Sequence, residues 1–463
     1  MSGACQNRRA PPSYAPVCAL AVTVHTKPAN SNHSRAKVVF LACFTLKTNS
    51  EHVNIIRYTH RDGFMPKITE RKPEHMIDYN SVLSKNVKSL APSGIRKFFD
   101  MLTEMTDAIS LGVGEPDFVT PLHVREAGIQ SLKDGQTYYT GNAGLPQLRE
   151  EIANYIQRRF EIEYDYKDQI IVTVGGSEAI DLAVRALVNP GDEVIIPTPS
   201  FVCYGPITTL AGGTPVIVET KAENEFRLTA DELRAAITPR TKALILSYPS
   251  NPTGAIMEKS DLEAIAAELR GTDIMVISDE IYAELTYGQH HTSIVSIDGM
   301  YERTVYVGGF SKSHAMTGWR MGYACGPADI LTQMLKIHQY AIMSSPTTSQ
   351  YAAIQAMKDG DKDVQAMKQE YDERRRNLLA GLRNLGFDCF EPRGAFYVFP
   401  SIKSTGLSST EFCEKLLFAE KVAVIPGNAF GACGEGFVRI CYASSMEKIN
   451  IALERMEKFV KGL

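Results

Sequence analysis

The feature that most constrains this chain is an alternation of short apolar runs with helix-like stretches, which begins near residue 108. Seven runs of four to six residues stand out: Ile170–Val174, Val194–Pro197, Pro215–Val218, Ala243–Tyr248, Met275–Ser278, Thr304–Val307 and Met321–Cys325. Stretches with helical spacing, such as Glu178–Val188 and Lys259–Leu269, lie between them. This alternation is typical of a mostly parallel sheet with helices on both faces. The sequence therefore predicts a three-layer α/β fold.

The pattern changes after about residue 328. A long helical stretch, Ala328–His338 and then Ser349–Gly386, leads to short strands near Ala395–Phe399 and Phe437–Tyr442. This α+β pattern predicts a second, smaller domain. We expect an N-terminal segment, 76–115, that joins the small domain, a large domain over 116–330, and the small C-terminal domain over 331–463.

Residues 1–75 differ from the rest in charge and pattern. They carry a formal charge of +7, and since the whole chain carries −4, residues 76–463 carry −11. No helical or strand period is sustained there, so we predict a disordered extension, with Met65 or Met76 as the natural start. An organelle-targeting segment is the alternative, because no acidic residue precedes Glu51.

The rest of the chain excludes several classes of protein. An acidic surface has no general affinity for nucleic acid, and no run approaches the 18 apolar residues of a membrane span. The nine cysteines are scattered without a Cys-x-x-Cys pair, which indicates neither a disulfide framework nor a zinc site. We expect a cytoplasmic protein with reduced cysteines, no metal, and neither nucleic acid nor membrane as a partner.

Ligands of α/β sheets bind at the carboxyl ends of the strands, so the residues after each run are the candidate site. The run Ile170–Val174 is followed by a glycine-containing helix start, where free N–H groups and the helix dipole favour an anion. A plain turn with a serine cap would look the same. The candidate cofactor contacts here are Gly176, Ser177 and Glu178.

Three further loops carry polar side chains at strand ends. Asn251 stands in a loop stiffened by two prolines and a glycine, so its amide would point in a fixed direction. Asp279 ends an apolar strand and needs a partner if it is to remain charged, and Tyr282 lies three residues further on. Lys312 follows a buried strand in a glycine-rich loop, and Arg320 could bind a phosphate bidentately.

One ligand accounts for all four loops. It needs a phosphate, a ring nitrogen kept protonated by Asp279, a phenolic oxygen held by Asn251 and Tyr282, and an aldehyde that forms an imine with Lys312. That ligand is pyridoxal 5′-phosphate (PLP).

The segments Ser247–Gly254, Asp279–Tyr282 and Gly309–Gly322 resemble those of the class I aminotransferases in the fold-type-I PLP family, and the similarity extends from about Ser89 to Val460. The resemblance implies the PLP transferase fold type I and a ping-pong, Schiff-base transamination between an L-amino acid and a 2-oxo acid. In that reaction Lys312, Asp279 and Tyr282 would be the catalytic residues.

The resemblance also implies further site residues. Phe201 would stack on the cofactor ring, Arg439 would pair with the substrate α-carboxylate, and the backbone of Gly114 would contact that carboxylate. Tyr139 would reach the phosphate of a partner subunit, which implies a homodimer with shared active sites. Some members carry a phosphate-binding serine three residues before the lysine, where this chain has Gly309, and Ser311 or Ser177 would compensate.

The substrate stays open at this level. The chain resembles bacterial aromatic and aspartate aminotransferases and those acting on N-acetyl-diaminopimelate, with 2-oxoglutarate as the expected acceptor. Arg96 could accept a distal carboxylate, whereas Ile95 would belong to an aromatic-tolerant wall; a surface arginine and ordinary packing are the competing interpretations. Alternatives to a transaminase are a PLP-dependent β-C–S lyase on the same fold and a PLP-sensing regulator.

Overall fold

The structure is a computed structural model that describes residues 77–92, 105 and 107–463. The predicted extension over residues 1–75 lies outside the described residues, as do Ile95 and Arg96. The chain divides into two units, Met1–Ser81 and Val82–Leu463; of the first, residues 77–81 are described and include the start of the short helix Tyr79–Val82.

The described strands and helices follow the predicted alternation. The strands are β1 (Ile109–Ser110), β2 (Ile170–Thr173), β3 (Glu193–Thr198), β4 (Thr214–Glu219), β5 (Thr241–Leu246), β6 (Met275–Asp279), β7 (Thr304–Gly309), β8 (Gly322–Cys325), β9 (Tyr397–Val398), β10 (Val422–Ala423), β11 (Ile425–Pro426) and β12 (Val438–Cys441). The helices are α1 (Tyr79–Val82), α2 (Lys85–Ser89), α3 (Leu122–Lys133), α4 (Pro146–Phe160), α5 (Gly176–Leu187), α6 (Tyr204–Leu210), α7 (Ala230–Ala236), α8 (Lys259–Leu269), α9 (Ala328–Ala341), α10 (Thr347–Asp359), α11 (Asp361–Asn384), α12 (Ser409–Glu420) and α13 (Met446–Lys461).

A seven-stranded sheet forms the centre of the large region, in the spatial order β2-β8-β7-β6-β5-β3-β4. Neighbouring strands are parallel except for the two pairs that β8 makes, with β2 and with β7. Ile170 and Val172 of β2 belong to a core with α3, α4 and α10, whereas Ile171 belongs to a core with α5 and α9. Alternate side chains thus enter opposite helical layers, and the predicted three-layer, mostly parallel α/β fold is confirmed.

The predicted single helical stretch Ser349–Gly386 is wrong in one respect: it is two helices, α10 and α11, that meet at Gly360. A Cβ at position 360 would lie 2.4 Å from the carbonyl oxygen of Ala356. The close approach of backbone at this junction therefore requires glycine.

A smaller α+β region follows, as predicted. Strands β11, β12 and β9 form an antiparallel sheet, and α11, α12 and α13 contribute to one apolar core with it. Near the start of the described chain, β1 pairs in parallel with β10, with Ile109 opposite Val422. The exact domain boundaries stay a prediction. In the described part of the chain, no helix combines the length and apolar character needed to cross a membrane.

Candidate active site

A cavity of about 400 Å³ lies at the carboxyl ends of the central strands. It is lined by the loops that follow β3, β5, β6 and β7, by the start of α5, and by residues of β9 and β12. The structure brings together here eleven of the residues predicted from sequence: Gly114, Gly176, Ser177, Phe201, Asn251, Asp279, Tyr282, Ser311, Lys312, Arg320 and Arg439.

Lys312 provides an amine in this cavity. Its Nζ donates a hydrogen bond to the carbonyl oxygen of Gly114 at 2.7 Å and lies 5.8 Å from the centre of the Phe396 ring. Burial lowers the pKa of Lys312 to about 8, because the charged form loses its hydration. A substantial fraction of the amine is therefore neutral, and nucleophilic, near physiological pH.

Asp279 provides a buried carboxylate at the end of β6. Its Oδ2 accepts a hydrogen bond from the Tyr204 hydroxyl at 2.7 Å, and its Oδ1 accepts one from the backbone N–H of Ile281 at 3.3 Å. Burial raises the pKa of Asp279, since desolvation disfavours its charged form. None of the ion pairs between described residues involves Asp279, and the nearby charge of Lys312 only partly offsets the effect of burial on its pKa.

Arg439 provides a buried cation on β12. Its Nη1 donates to Asn251 Oδ1 at 2.8 Å and its Nη2 donates to the carbonyl oxygen of Gly112 at 2.7 Å. Both acceptors are neutral, its Nε has no hydrogen-bond partner within the described chain, and none of the described ion pairs includes it. A buried guanidinium without a counter-anion is suited to bind a carboxylate.

The start of α5 forms an anion cradle with Arg320. Helix α5 begins at Gly176, so the N–H groups of its first turn have no partners within the helix. Gly175, at φ 79°, precedes it, and a Cβ at Gly175 would lie 2.6 Å from Nη2 of Arg320. The positive φ favours glycine at this position, and the approach of Arg320 places a cation and backbone donors side by side.

Two predicted cofactor contacts lie outside the cavity lining. The Glu178 carboxylate turns back to accept a hydrogen bond from the backbone N–H of Val174, and it pairs with His338 at 2.8 Å. Because both its oxygens are used there, it is not presented to the cavity. Tyr139 is 82% exposed in this chain. Ile95 and Arg96, predicted to contact substrate, lie outside the described residues.

Sequence reasoning missed several residues of the site. Tyr204 contacts Asp279, and its oxygen lies 2.8 Å from Ser247 Oγ; Tyr397 contacts Tyr282, and Gly112 accepts from Arg439. Tyr204 is the first residue of α6, and its hydroxyl partners meet only after folding, so no sequence pattern indicated it. Tyr397 stands in the aromatic run Ala395–Phe399, which looks the same as ordinary strand packing.

Comparisons with known proteins agree with this geometry. Residues 106–456 match the family model for aminotransferase class I and II. The chain is 53% identical over 380 residues to the putative aminotransferase YugH of Bacillus subtilis, covering 82% of this chain and 98% of that protein. It is 48% identical over 382 residues to an aspartate aminotransferase of Pyrococcus abyssi, again covering 82% and 98%.

Solved structures extend the comparison to the fold. The aromatic aminotransferase from Pyrococcus horikoshii superposes with a TM-score of 0.75 at 47% identity, covering 79% of this chain and 99% of that one. Other relatives, at 40–45% identity, are named aromatic-amino-acid, N-acetyl-LL-diaminopimelate and aspartate aminotransferases. Fold and relatives together define a transferase of amino groups. This chain belongs to the class I and II aminotransferase family, whose members depend on PLP, and the predicted resemblance is confirmed.

Proposed function

We propose that this chain is a PLP-dependent transaminase that moves an amino group from an L-amino acid to a 2-oxo acid, with 2-oxoglutarate as the acceptor. The observation that carries the proposal is the placement of an uncompensated buried guanidinium, Arg439, in the same cavity as the buried amine of Lys312. An amino acid offers a carboxylate to the first, and its Cα–H then lies within the reach of the second.

The described residues fit PLP. Its ring nitrogen would face Asp279, whose buried carboxylate forms no ion pair within the described chain, and its phosphate would enter the cradle built around the Gly175–Arg320 approach. Lys312 would hold the aldehyde carbon. The remaining contacts would be Phe201 on the ring face, Asn251 and Tyr282 at the phenolic oxygen, and Gly176, Ser177 and Ser311 at the phosphate.

When bound, PLP supplies an electron sink for bond cleavage at the substrate Cα. Arg439 orients the substrate through its α-carboxylate, assisted by the backbone at Gly114. Lys312 Nζ takes the Cα proton as a neutral amine, which its lowered pKa makes available. With PLP bound, Asp279 would remain ionised, because a protonated ring nitrogen would compensate its buried charge.

The test of this function is a panel of amino donors with purified PLP-loaded protein. Phenylalanine, tyrosine, aspartate and N-acetyl-diaminopimelate are each supplied with 2-oxoglutarate, and glutamate formation is measured. We expect glutamate only when donor and acceptor are both present. Catalytic release of pyruvate without the acceptor, beyond one equivalent per active site, from a further donor that carries a β-carbon–sulfur bond, such as cysteine, would indicate the β-C–S lyase instead. Comparing donors in an Arg96→Ala variant tests whether Arg96 reads a distal carboxylate, since only acidic donors should then react more slowly.

Replacing Arg439 with glutamine is expected to raise the KM of both the amino acid and the oxo acid by about 100-fold. The substitution keeps polar contacts but removes the charge-assisted pair with the carboxylate, which is worth roughly 2–3 kcal/mol. Steady-state kinetics in both half-reactions measures the effect. The control is Arg270→Gln, because Arg270 is exposed and donates to the backbone carbonyl of Asp298. An unchanged KM in the Arg439 variant would contradict the assigned role.

We also propose a homodimer in which Tyr139 reaches the phosphate bound by the partner subunit. Two points support this proposal: Tyr139 is 82% exposed in this chain, and the family resemblance assigns it a contact with the phosphate of the partner subunit. Size-exclusion chromatography of the holoenzyme with light scattering measures the mass of the assembly directly. A monomer with full activity would refute the shared site.

A further inference from the structure

Tyr397 on β9 lies at the centre of the candidate site, although no role was predicted for it. It is 1% exposed, it lines the cavity, and it contacts three groups to which the proposed function gives separate tasks. We propose that Tyr397 is a positioning residue that aligns Tyr282 with the cofactor's phenolic oxygen and Arg439 with the substrate carboxylate. The inference rests on the proposed function and goes beyond it, since it concerns how the binding groups are held.

The first contact joins two hydroxyl groups. The oxygens of Tyr282 and Tyr397 are 2.9 Å apart, and each hydroxyl has one proton to donate. When Tyr282 donates to a ligand oxygen, its own oxygen is left as an acceptor, and Tyr397 is the buried donor placed to fill it. Burial raises the pKa of Tyr397, so it keeps its proton throughout the neutral range. Donation by Tyr397 makes the Tyr282 hydroxyl a stronger donor in turn.

The second contact holds the cation. The guanidinium carbon of Arg439 lies 4.6 Å from the centre of the Tyr397 ring and 4.7 Å from that of Phe430. Two aromatic rings thus flank a planar cation whose only described hydrogen bonds go to neutral acceptors. Cation–π attraction is strongest in desolvated settings such as this one, so the rings restrict where the guanidinium plane can lie.

The third contact limits the segment that carries Gly114. A Cβ at position 114 would lie 2.1 Å from the hydroxyl oxygen of Tyr397, 3.1 Å from its Cζ and 3.4 Å from its Cε1. The same glycine accepts the hydrogen bond of the Lys312 amine through its carbonyl oxygen. The Tyr397 hydroxyl therefore occupies the space that a side chain at position 114 would need. Only glycine lets the backbone at position 114 lie between this hydroxyl and the amine of Lys312.

Two substitutions separate the hydroxyl from the ring. Tyr397→Phe removes only the hydroxyl that donates to Tyr282. More negative charge then stays on the phenolic oxygen of the cofactor, so the proton on the nitrogen that joins Lys312 to the cofactor would be held about threefold more tightly. In a pH titration of the holoenzyme's absorbance, we expect the midpoint to move to higher pH while KM stays within about a factor of three. Tyr397→Leu also removes the flanking ring, and we expect KM for both substrates to rise about tenfold.

Phe430→Leu is the matched control, because the Phe430 ring also lies against Arg439 but, unlike Tyr397, carries no hydroxyl that could contact Tyr282. It is expected to raise KM without moving the absorbance midpoint. A midpoint that moves as far as in Tyr397→Phe would overturn the assignment. So would a Tyr397→Phe holoenzyme that titrates like the wild type, or a Tyr397→Leu enzyme with wild-type KM.

A double-variant cycle tests the contact with Gly114. Gly114→Ala is expected to lower kcat/KM at least tenfold in the wild-type background, where the new methyl group meets the hydroxyl. In the Tyr397→Phe background, the same substitution is expected to lower kcat/KM several-fold less. The nearest remaining atom to the new methyl group is then the ring carbon Cζ, at 3.1 Å. Equal costs in both backgrounds would overturn the proposal. Failure of the wild-type protein to form a PLP chromophore would instead refute the proposed function itself.

Discussion

Replacing Lys312 with alanine is expected to lower transamination by at least about 10⁴-fold and to remove the absorbance of the lysine-linked cofactor. Lys312 is the only lysine that lines the described cavity, so no neighbouring amine there can take its place. The variant loses both the covalent hold on the cofactor and the group that moves the Cα proton. Single-turnover assays with added PLP and the absorbance spectrum of the purified protein measure the two losses separately.

The design needs controls for charge and for folding. Lys336→Ala removes an exposed lysine whose Nζ donates to Gln333, and it should leave rate and spectrum unchanged. Lys312→Arg keeps a cation, but arginine stays protonated, so it should be as inactive as alanine. Multiple turnovers in either Lys312 variant, with the fold intact by circular dichroism, would contradict the catalytic role assigned to Lys312.

The lowered pKa of Lys312 adds a pH dependence to this prediction. Burial shifts its pKa from 10.5 to about 8, so in the cofactor-free protein the neutral, reactive amine accumulates as the pH rises through 8. Capture of added PLP, followed by the growth of its absorbance, should accelerate over that range. An exposed lysine would instead give a profile that continues to rise toward pH 10.5.

The residues found from the strand pattern, rather than from the family resemblance, share a physical property: they interrupt an apolar pattern where a strand of the large sheet ends. Asp279 and Lys312 stand at or after the ends of buried strands. Because parallel strands have their carboxyl ends at the same edge of a sheet, the proximity of these two residues could be inferred without knowing the register. Tyr204 and Tyr397 could not be found in this way, because a buried tyrosine fits an apolar run as well as phenylalanine does. Their tasks depend on hydroxyl partners that meet only after folding.

Helix geometry explains the other differences. Glu178 stands at the predicted anion-binding helix start, yet its side chain turns back to the backbone N–H of Val174, as acidic residues in a first turn often do. The split of the predicted helix at Gly360 depends on the approach of that backbone to the preceding turn. Neither feature is a matter of apolar periodicity, which is the signal that a single sequence conveys most strongly.

Replacing Asp279 with alanine is expected to lower kcat by roughly 10²- to 10⁴-fold while the protein remains folded. The carboxylate would hold a proton on the ring nitrogen, and removing one partner of a buried ion pair costs about 3–5 kcal/mol, or two to four powers of ten. The loss should appear in kcat, because the site's hold on the substrate carboxylate through Arg439 is untouched. Asp279→Asn should be nearly as impaired, since an amide cannot compensate a cationic ring.

The neighbouring Glu280 provides the control for this prediction. Its carboxylate is also buried, but it accepts from the hydroxyls of Ser278 and Ser293 at 2.7 Å and lies 2.6 Å from His291. Glu280→Gln should therefore reduce the free energy of unfolding and leave kcat within a few-fold of the wild type. Urea denaturation and steady-state kinetics on both variants separate the two effects. Equal losses of kcat in the Glu280 and Asp279 variants would mean that any buried charge near the end of β6 supports activity, and the specific task assigned to Asp279 would be wrong.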